Sequence, residues 1–96
     1  MKEQLKEIIE HYGVLKQLKY FQSEVFELNE AIINAEYLPF QYEKDIYHIA
    51  DEIADVIVML AQFKEYYGIT DEQIDDVFDY KVARQLERIK SEGIND

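Results

Sequence analysis

Residues 43–67 read EKDIYHIADEIADVIVMLAQFKEYY, and this stretch decides the fold class. Its apolar residues recur three and four positions apart, which is the spacing of one face of an α-helix. They are Ile46, Ile49, Ile53, Val56, Ile57, Leu60 and Phe63. Gly68 follows the pattern and predicts its end, because glycine is favoured just beyond a helix C-terminus. The sequence therefore predicts a helix over about residues 43–67.

A second long helix is predicted before it, over about residues 14–36. Its apolar residues alternate spacings of three and four, as in a helix packing seam. They are Leu18, Phe21, Val25, Leu28, Ile32 and Ala35. The segment Tyr37-Leu38-Pro39-Phe40 ends this helix, so the two helices are expected to form an antiparallel hairpin.

Shorter signals place one helix on each side of the hairpin. Residues 2–12 have a helical stripe that stops at Gly13, and Thr70 with Gln73 has the spacing of a capping box that opens a helix ending near residue 91. We therefore expect one all-α domain over residues 1–96, with four helices. Because the hairpin seam is only half covered, we expect oligomerisation to complete a helical bundle.

The composition limits the possible partners. Ten Lys and Arg residues against 21 Asp and Glu residues give a net charge of −11, and 48% of the chain is hydrophobic. That apolar content argues against an acidic disordered tail. The charge disfavours nucleic acids and anionic membranes, which bind through Lys and Arg. Without cysteine there is no thiolate metal site, and without a long apolar run the chain is expected to be soluble and cytoplasmic.

Two pairs of acidic residues are predicted to converge across the hairpin. Glu24 and Glu27 lie on one helix, and Glu52 and Asp55 lie on the other. At about 100° per residue, the corresponding members of the two pairs are rotated by similar angles, in the same sense, from their apolar stripes. The pairs are also symmetric about the turn between Pro39 and Phe40. The alternative is four coincidental surface acids.

Four converging carboxylates repel one another, so they take up protons or hold a cation. Oxygen ligands without cysteine or clustered histidine indicate a hard ion, Mg²⁺ or Mn²⁺. A di-iron centre is disfavoured, because neither motif contains the Glu-x-x-His pairing of bundle di-iron sites.

Basic residues follow one stripe of the fourth helix. Lys81, Arg84 and Arg88 are spaced three and then four residues apart. One interpretation is a set of ion pairs with neighbouring acids. The other is a surface for phosphate oxygens, to which arginine donates two hydrogen bonds at once.

These motifs resemble the MazG-like family of all-α nucleotide pyrophosphohydrolases. Its EExxE motif is matched by Ser23-Glu24-Val25-Phe26-Glu27, and its ExxD motif by Glu52-Ile53-Ala54-Asp55. Its C-terminal basic motif is matched by residues 81–88, KVARQLER. Ser23 replaces the leading glutamate, and Arg84-Gln85 stands where Lys-Asn is more usual. The resemblance spans about residues 15–90.

The resemblance implies Mg²⁺-dependent cleavage of a nucleoside triphosphate to a monophosphate and pyrophosphate. It implies that the four carboxylates are catalytic and ligate the metal, and that Lys81, Arg84 and Arg88 bind the substrate phosphates. It also implies a homodimer or homotetramer with the site near the subunit interface. Tyr20, His48 and Met59 are candidates for a base pocket, and packing or an interface is the favoured alternative for each.

Two other functions stay open at this point. One is a related phosphoribosyl-ATP pyrophosphatase. The other is a non-enzymatic acidic helical protein that binds a basic partner and uses the negative charge for steering.

Overall fold

The computed structural model describes residues 1–95, with side chains through residue 93. That range contains four α-helices and no strand: α1 (Lys2–Tyr12), α2 (Val14–Tyr37), α3 (Tyr42–Tyr66) and α4 (Asp71–Asn95). The predicted all-α class and the four helices are confirmed. The fourth helix extends about one turn beyond its predicted end.

Two glycines separate helices by adopting backbone angles that other residues avoid. Gly13 has φ +90° and donates its N–H to the Ile9 carbonyl over 2.8 Å, which ends α1. Gly68 has φ +67° in the turn after α3. A Cβ at either position would meet nothing within 4 Å, so the backbone angle and not the available space requires glycine.

The capping box of α4 forms as predicted. The Thr70 backbone N–H donates to Gln73 Oε1 over 2.8 Å, and the Gln73 N–H donates to Thr70 Oγ1 over 3.1 Å. Lys64 Nζ lies 2.6 Å from the Asp71 carboxylate and joins the end of α3 to the start of α4. These contacts fix where α4 begins.

Helix α2 packs against α3 along their length. Gln17 near the start of α2 donates to Gln62 near the end of α3 over 2.8 Å, and the rings of Phe21 and Phe63 meet edge to face at 5.7 Å. The buried Ala31 lies further along α2. Apolar packing of this kind supplies most of the stability of a helical hairpin.

Only half of each predicted apolar seam lies inside this contact. Phe21, Leu28 and Ala35 on α2 are buried in part, as are Ile49, Val56 and Phe63 on α3. The remaining residues stay exposed, and all of them except Ile57 recur every seven positions along the two helices. We call these six residues the apolar face: Leu18, Val25, Ile32, Ile46, Ile53 and Leu60.

The first helix packs mainly against α3. Its Ile9 is completely buried and is the largest apolar side chain of the core, as the helical stripe of residues 2–12 predicts. It also contacts α2, which follows it directly after Gly13.

Helix α4 has no packing partner in the described range. None of its Cα atoms lies within 8 Å of a Cα in another helix, and its side chains through residue 93 are all exposed. Its apolar stripe, which includes Phe78 at 62% exposure, therefore faces solvent. No helix in residues 1–95 is both long and apolar enough to cross a bilayer.

Ile9→Ala is expected to lower the free energy of unfolding by about 2–5 kcal/mol, because it leaves a cavity between α1 and α3. Chemical denaturation measures the change. Ile8→Ala is the matched control, because Ile8 is adjacent but exposed. Equal losses in the two variants would contradict the packing of α1 through Ile9.

Candidate metal and substrate site

Three of the four predicted acidic residues come together between α2 and α3. Glu24 on α2 and Glu52 and Asp55 on α3 each offer one carboxylate oxygen, and these oxygens all lie within 4.8 Å of one another. Glu52 is only 8% exposed, Glu24 is half-buried and Asp55 is exposed. We call this group the carboxylate cluster. It opens to solvent on the Asp55 side.

Two oxygens of the carboxylate cluster are buried without a partner. Glu24 Oε2 and Glu52 Oε2 accept no hydrogen bond from any described residue. None of the salt bridges within residues 1–93 involves the cluster. A buried carboxylate oxygen without a donor or a cation is costly, so these two atoms are suited to a ligand.

The surroundings of the cluster favour the protonated carboxyl. Burial raises the pKa of Glu24, and the negative charges of Glu27, Asp55 and Glu52 raise it further. Burial likewise raises the pKa of Glu52, together with the charges of Glu27 and Asp55, while His48 lowers it in part. A divalent cation would reverse both effects, because it favours the ionised carboxylates.

Glu27 lies at the edge of the cluster. Its side chain is exposed and does not belong to the three residues whose oxygens meet within 4.8 Å. Its charge nevertheless acts on both Glu24 and Glu52. Glu27 is therefore placed to join a ligand at the outer side of the cluster.

The predicted basic stripe is not brought to the cluster within one chain. Lys81, Arg84 and Arg88 are exposed on α4, which packs against no other helix in the described range. None of the three forms a salt bridge with a described acidic residue. The alternative interpretation, ion pairs between this stripe and neighbouring acids, therefore does not hold within residues 1–93.

A pocket of about 390 Å³ adjoins the cluster. Two of its lining residues, Glu24 and Asp55, belong to the cluster. Tyr20 and Met59 also line it, as two of the candidates for a base pocket, whereas His48 lies in a separate groove with Asp45 and Asp51. The rest of the lining is Tyr12, Lys16, Gln17 and Val58.

The sequence interpretation missed a buried amide pair in this region. Gln17 is 5% exposed and Gln62 is 2% exposed, and Gln62 Nε2 donates in turn to the Met59 sulfur over 3.7 Å. A signal was present, because Gln17 and Gln62 are symmetric about the same turn as Glu24 and Asp55. Two uncharged polar residues at matched positions on α2 and α3 indicate a hydrogen bond between the helices.

Ser23, which replaces the leading glutamate of the first motif, lies outside the cluster. It is exposed, and its hydroxyl donates to the Lys19 carbonyl over 3.4 Å. Glu30, one helical turn beyond Glu27, is also exposed.

Comparison of the chain with protein-family models, curated proteins and solved structures finds no match.

In the absence of divalent cations, the free energy of unfolding is expected to rise as the pH falls from neutrality toward 4.5, the ordinary pKa of glutamate. Glu24 and Glu52 have raised pKa values when folded, so the folded chain binds protons more readily than the unfolded chain and loses stability as the pH rises. Melting temperatures between pH 4.5 and 8 measure this dependence.

Glu52→Gln is expected to melt at a higher temperature than the original chain at neutral pH and to depend less on pH. Glu30→Gln is the matched control, since it removes the same charge from an exposed site. Identical pH profiles for the two variants would show that general charge repulsion, and not the cluster, governs the effect.

Proposed function

We propose that the protein is a Mg²⁺-dependent nucleoside triphosphate pyrophosphohydrolase. The observation that carries this proposal is the pair of buried oxygens without partners, Glu24 Oε2 and Glu52 Oε2, within a cluster of three carboxylates. All-oxygen donors of this charge suit Mg²⁺, with Mn²⁺ as a substitute. The resemblance of the sequence motifs to the MazG-like family suggests the reaction, cleavage of a nucleoside triphosphate to a monophosphate and pyrophosphate. The adjoining pocket has room for a small molecule.

The four acidic residues form the metal site in this proposal. Glu24, Glu52 and Asp55 would hold the metal, and Glu27 would join them from the outer side. Mg²⁺ bound there would offset the negative charge of the substrate phosphates. A cluster carboxylate accepts the proton of the attacking water while oxygen adds to the α-phosphorus, and the bond to the bridging oxygen breaks to release pyrophosphate.

We propose that Lys81, Arg84 and Arg88 bind the phosphates from a neighbouring copy of the chain. Their exposure on a helix that contacts no other helix within residues 1–95 supports this arrangement, because exposed side chains can reach across an interface. Arginine pairs with phosphate through two parallel hydrogen bonds, so Arg84 and Arg88 suit this role better than surface ion pairs.

With Mg²⁺ present, the protein is expected to release pyrophosphate, and not orthophosphate, from at least one canonical or modified (d)NTP. Glu52→Gln is expected to lower kcat/KM by a factor of about 100 or more, because it removes a charged metal ligand. Mg²⁺ should also raise the melting temperature of the original chain and leave that of Glu52→Gln nearly unchanged.

Glu30→Gln serves as the control for the loss of one negative charge and should keep its activity. Phosphoribosyl-ATP belongs in the same substrate panel, since selective cleavage of it would identify the related pyrophosphatase. Absence of pyrophosphate release together with no stabilisation by Mg²⁺ would falsify the proposal and favour an acidic protein that binds a basic partner.

We further propose that α2 and α3 form an antiparallel hairpin and that two or four copies complete a helical bundle. The hydrogen bond between Gln17 and Gln62 and the ring contact between Phe21 and Phe63 support the hairpin. They pair the beginning of one helix with the end of the other. The single-domain organisation over residues 1–96 and a cytoplasmic location belong to the same proposal.

The surface area of the chain supports assembly. The chain has a solvent-accessible surface of 8133 Å², whereas a compact monomer of this size has about 5,800 Å². Its radius of gyration is 17.1 Å, against about 12.5 Å for a compact domain. The excess of about 2,300 Å² lies within what one subunit buries in an obligate homodimer.

The apolar face of the hairpin supplies a suitable contact. Its six residues carry no charge, although the chain as a whole carries −11. Two copies can therefore meet there without bringing like charges together. A strongly charged partner would find no complementary group on this face.

Val25→Glu combined with Ile53→Glu is expected to convert the oligomer to monomers, because it places two charges in the centre of the apolar face. Light scattering after gel filtration at micromolar concentration measures the mass. Tyr37→Glu is the control, as Tyr37 is highly exposed at the end of α2. An original chain that is monomeric at this concentration would contradict the proposed assembly.

A further inference from the structure

The pocket beside the carboxylate cluster has an apolar rim and a polar inner wall. Exposed Tyr12, Tyr20 and Val58 form the rim, and buried Gln17 and Met59 form the inner wall. Its volume of about 390 Å³ is in the range of small-molecule sites. Such a lining suits a flat, mostly apolar group that carries a polar edge.

The orientation of the Gln17 amide is determined by its neighbours. Gln62 Nε2 donates to the Met59 sulfur, so Gln62 Oε1 faces Gln17 and accepts from Gln17 Nε2. The reverse orientation of Gln62 would place its oxygen against the sulfur lone pairs. Gln17 therefore keeps its own oxygen, Oε1, available as an acceptor.

Gln17 Oε1 has no donor within residues 1–93. Gln17 lines the pocket, and this oxygen is not fully enclosed by the protein. An acceptor in a nearly buried residue gains most from a ligand N–H, because water reaches it poorly.

The two ends of the pocket differ in charge. Glu24 and Asp55 stand at one end, where the proposed metal would receive phosphates. At the other end, Lys16 Nζ lies 5.4 Å from the centre of the Tyr12 ring and holds that ring in a cation–π contact. A ligand that spans the pocket therefore carries phosphates at one end and a planar group at the other.

We infer that this pocket binds the nucleobase of the substrate and that Gln17 Oε1 accepts a hydrogen bond from an N–H on the base edge. Met59 and the Tyr12 and Tyr20 rings contact the faces and edges of the base. Gln62 is a positioning residue, because it acts only by orienting Gln17. This inference rests on the proposed function, and it assigns base selection to a residue outside the carboxylate motifs.

The two methionines of the chain provide a direct test without turnover. Met59 lines the pocket, whereas Met1 is exposed and outside it, so ¹³C-methyl labelling gives one reporter and one internal control. Nucleosides without phosphate are titrated in the absence of metal. At least one of adenosine, guanosine, cytidine and uridine is expected to shift Met59 and leave Met1 unchanged.

Analogues that lack N–H donors test the role of Gln17 Oε1. Purine riboside is compared with adenosine, and 3-methyluridine with uridine. For the preferred base type, the analogue is expected to bind about tenfold more weakly, which corresponds to one lost hydrogen bond to a poorly hydrated acceptor. Equal binding within both pairs, or equal shifts with ribose alone, would overturn the inference.

The double variant Gln17→Leu/Gln62→Leu removes both amides, so neither is left without a partner. It is expected to abolish the difference within each pair, whereas Gln22→Leu, exposed on α2 outside this pocket, should retain it. The melting temperature of each variant establishes that it is folded. A double variant that is folded and still discriminates would overturn the role of Gln17.

Base binding and hydrolysis can fail separately. A nucleoside that shifts Met59 in a protein that releases no pyrophosphate would refute the proposed function and keep the base pocket. Pyrophosphate release without any nucleoside-dependent shift of Met59 would refute the base pocket and keep the proposed function.

Discussion

The packing of α2 against α3 brings together groups that repel one another, and the rest of the structure depends on how this repulsion is offset. Apolar contacts on the flank that includes Phe21 and Phe63 hold the helices close. The same closeness confines Glu24, Glu52 and Asp55, and removes water from two of their oxygens. The packed pair of helices therefore carries an electrostatic cost that a cation or a proton would relieve. Folding is therefore coupled to proton uptake at this contact, and it would be coupled in the same way to the binding of a cation.

Much of the fold follows from local signals in the sequence. Gly13, Gly68 and the capping box of Thr70 and Gln73 mark helix ends through backbone geometry that few other residues supply. Such signals act over a few residues, and the predicted boundaries are correct to within a few positions. The meeting of Glu24 with Glu52 and Asp55 was predicted from helical angles and matched depth about the turn. These quantities depend only on the regular geometry of helices.

What the sequence leaves open concerns the neighbours of each helix. The spacing of residues such as Val25 and Ile53 predicts that they are buried in a helix contact. It does not say whether the contact is made by the same chain or by another copy. The apolar stripe of α4 likewise predicts a buried face without specifying what buries it. Helical angles give the direction of a side chain and not its distance from a partner. They therefore do not predict that Glu27 stands apart from the closest carboxylates. Apolar periodicity gives no information on buried polar pairs such as Gln17 and Gln62.

The unsupported α4 also has a consequence for the lifetime of the chain. A 25-residue helix that packs against no other helix in the described part of the chain has little beyond its own hydrogen bonds to keep it folded, so in a lone chain it opens often. Proteases cleave such open segments, and the rate follows the open population. If assembly covers α4, newly made chains at low concentration are degraded faster than those that have found a partner. The protein would then adjust its own abundance through the instability of one helix.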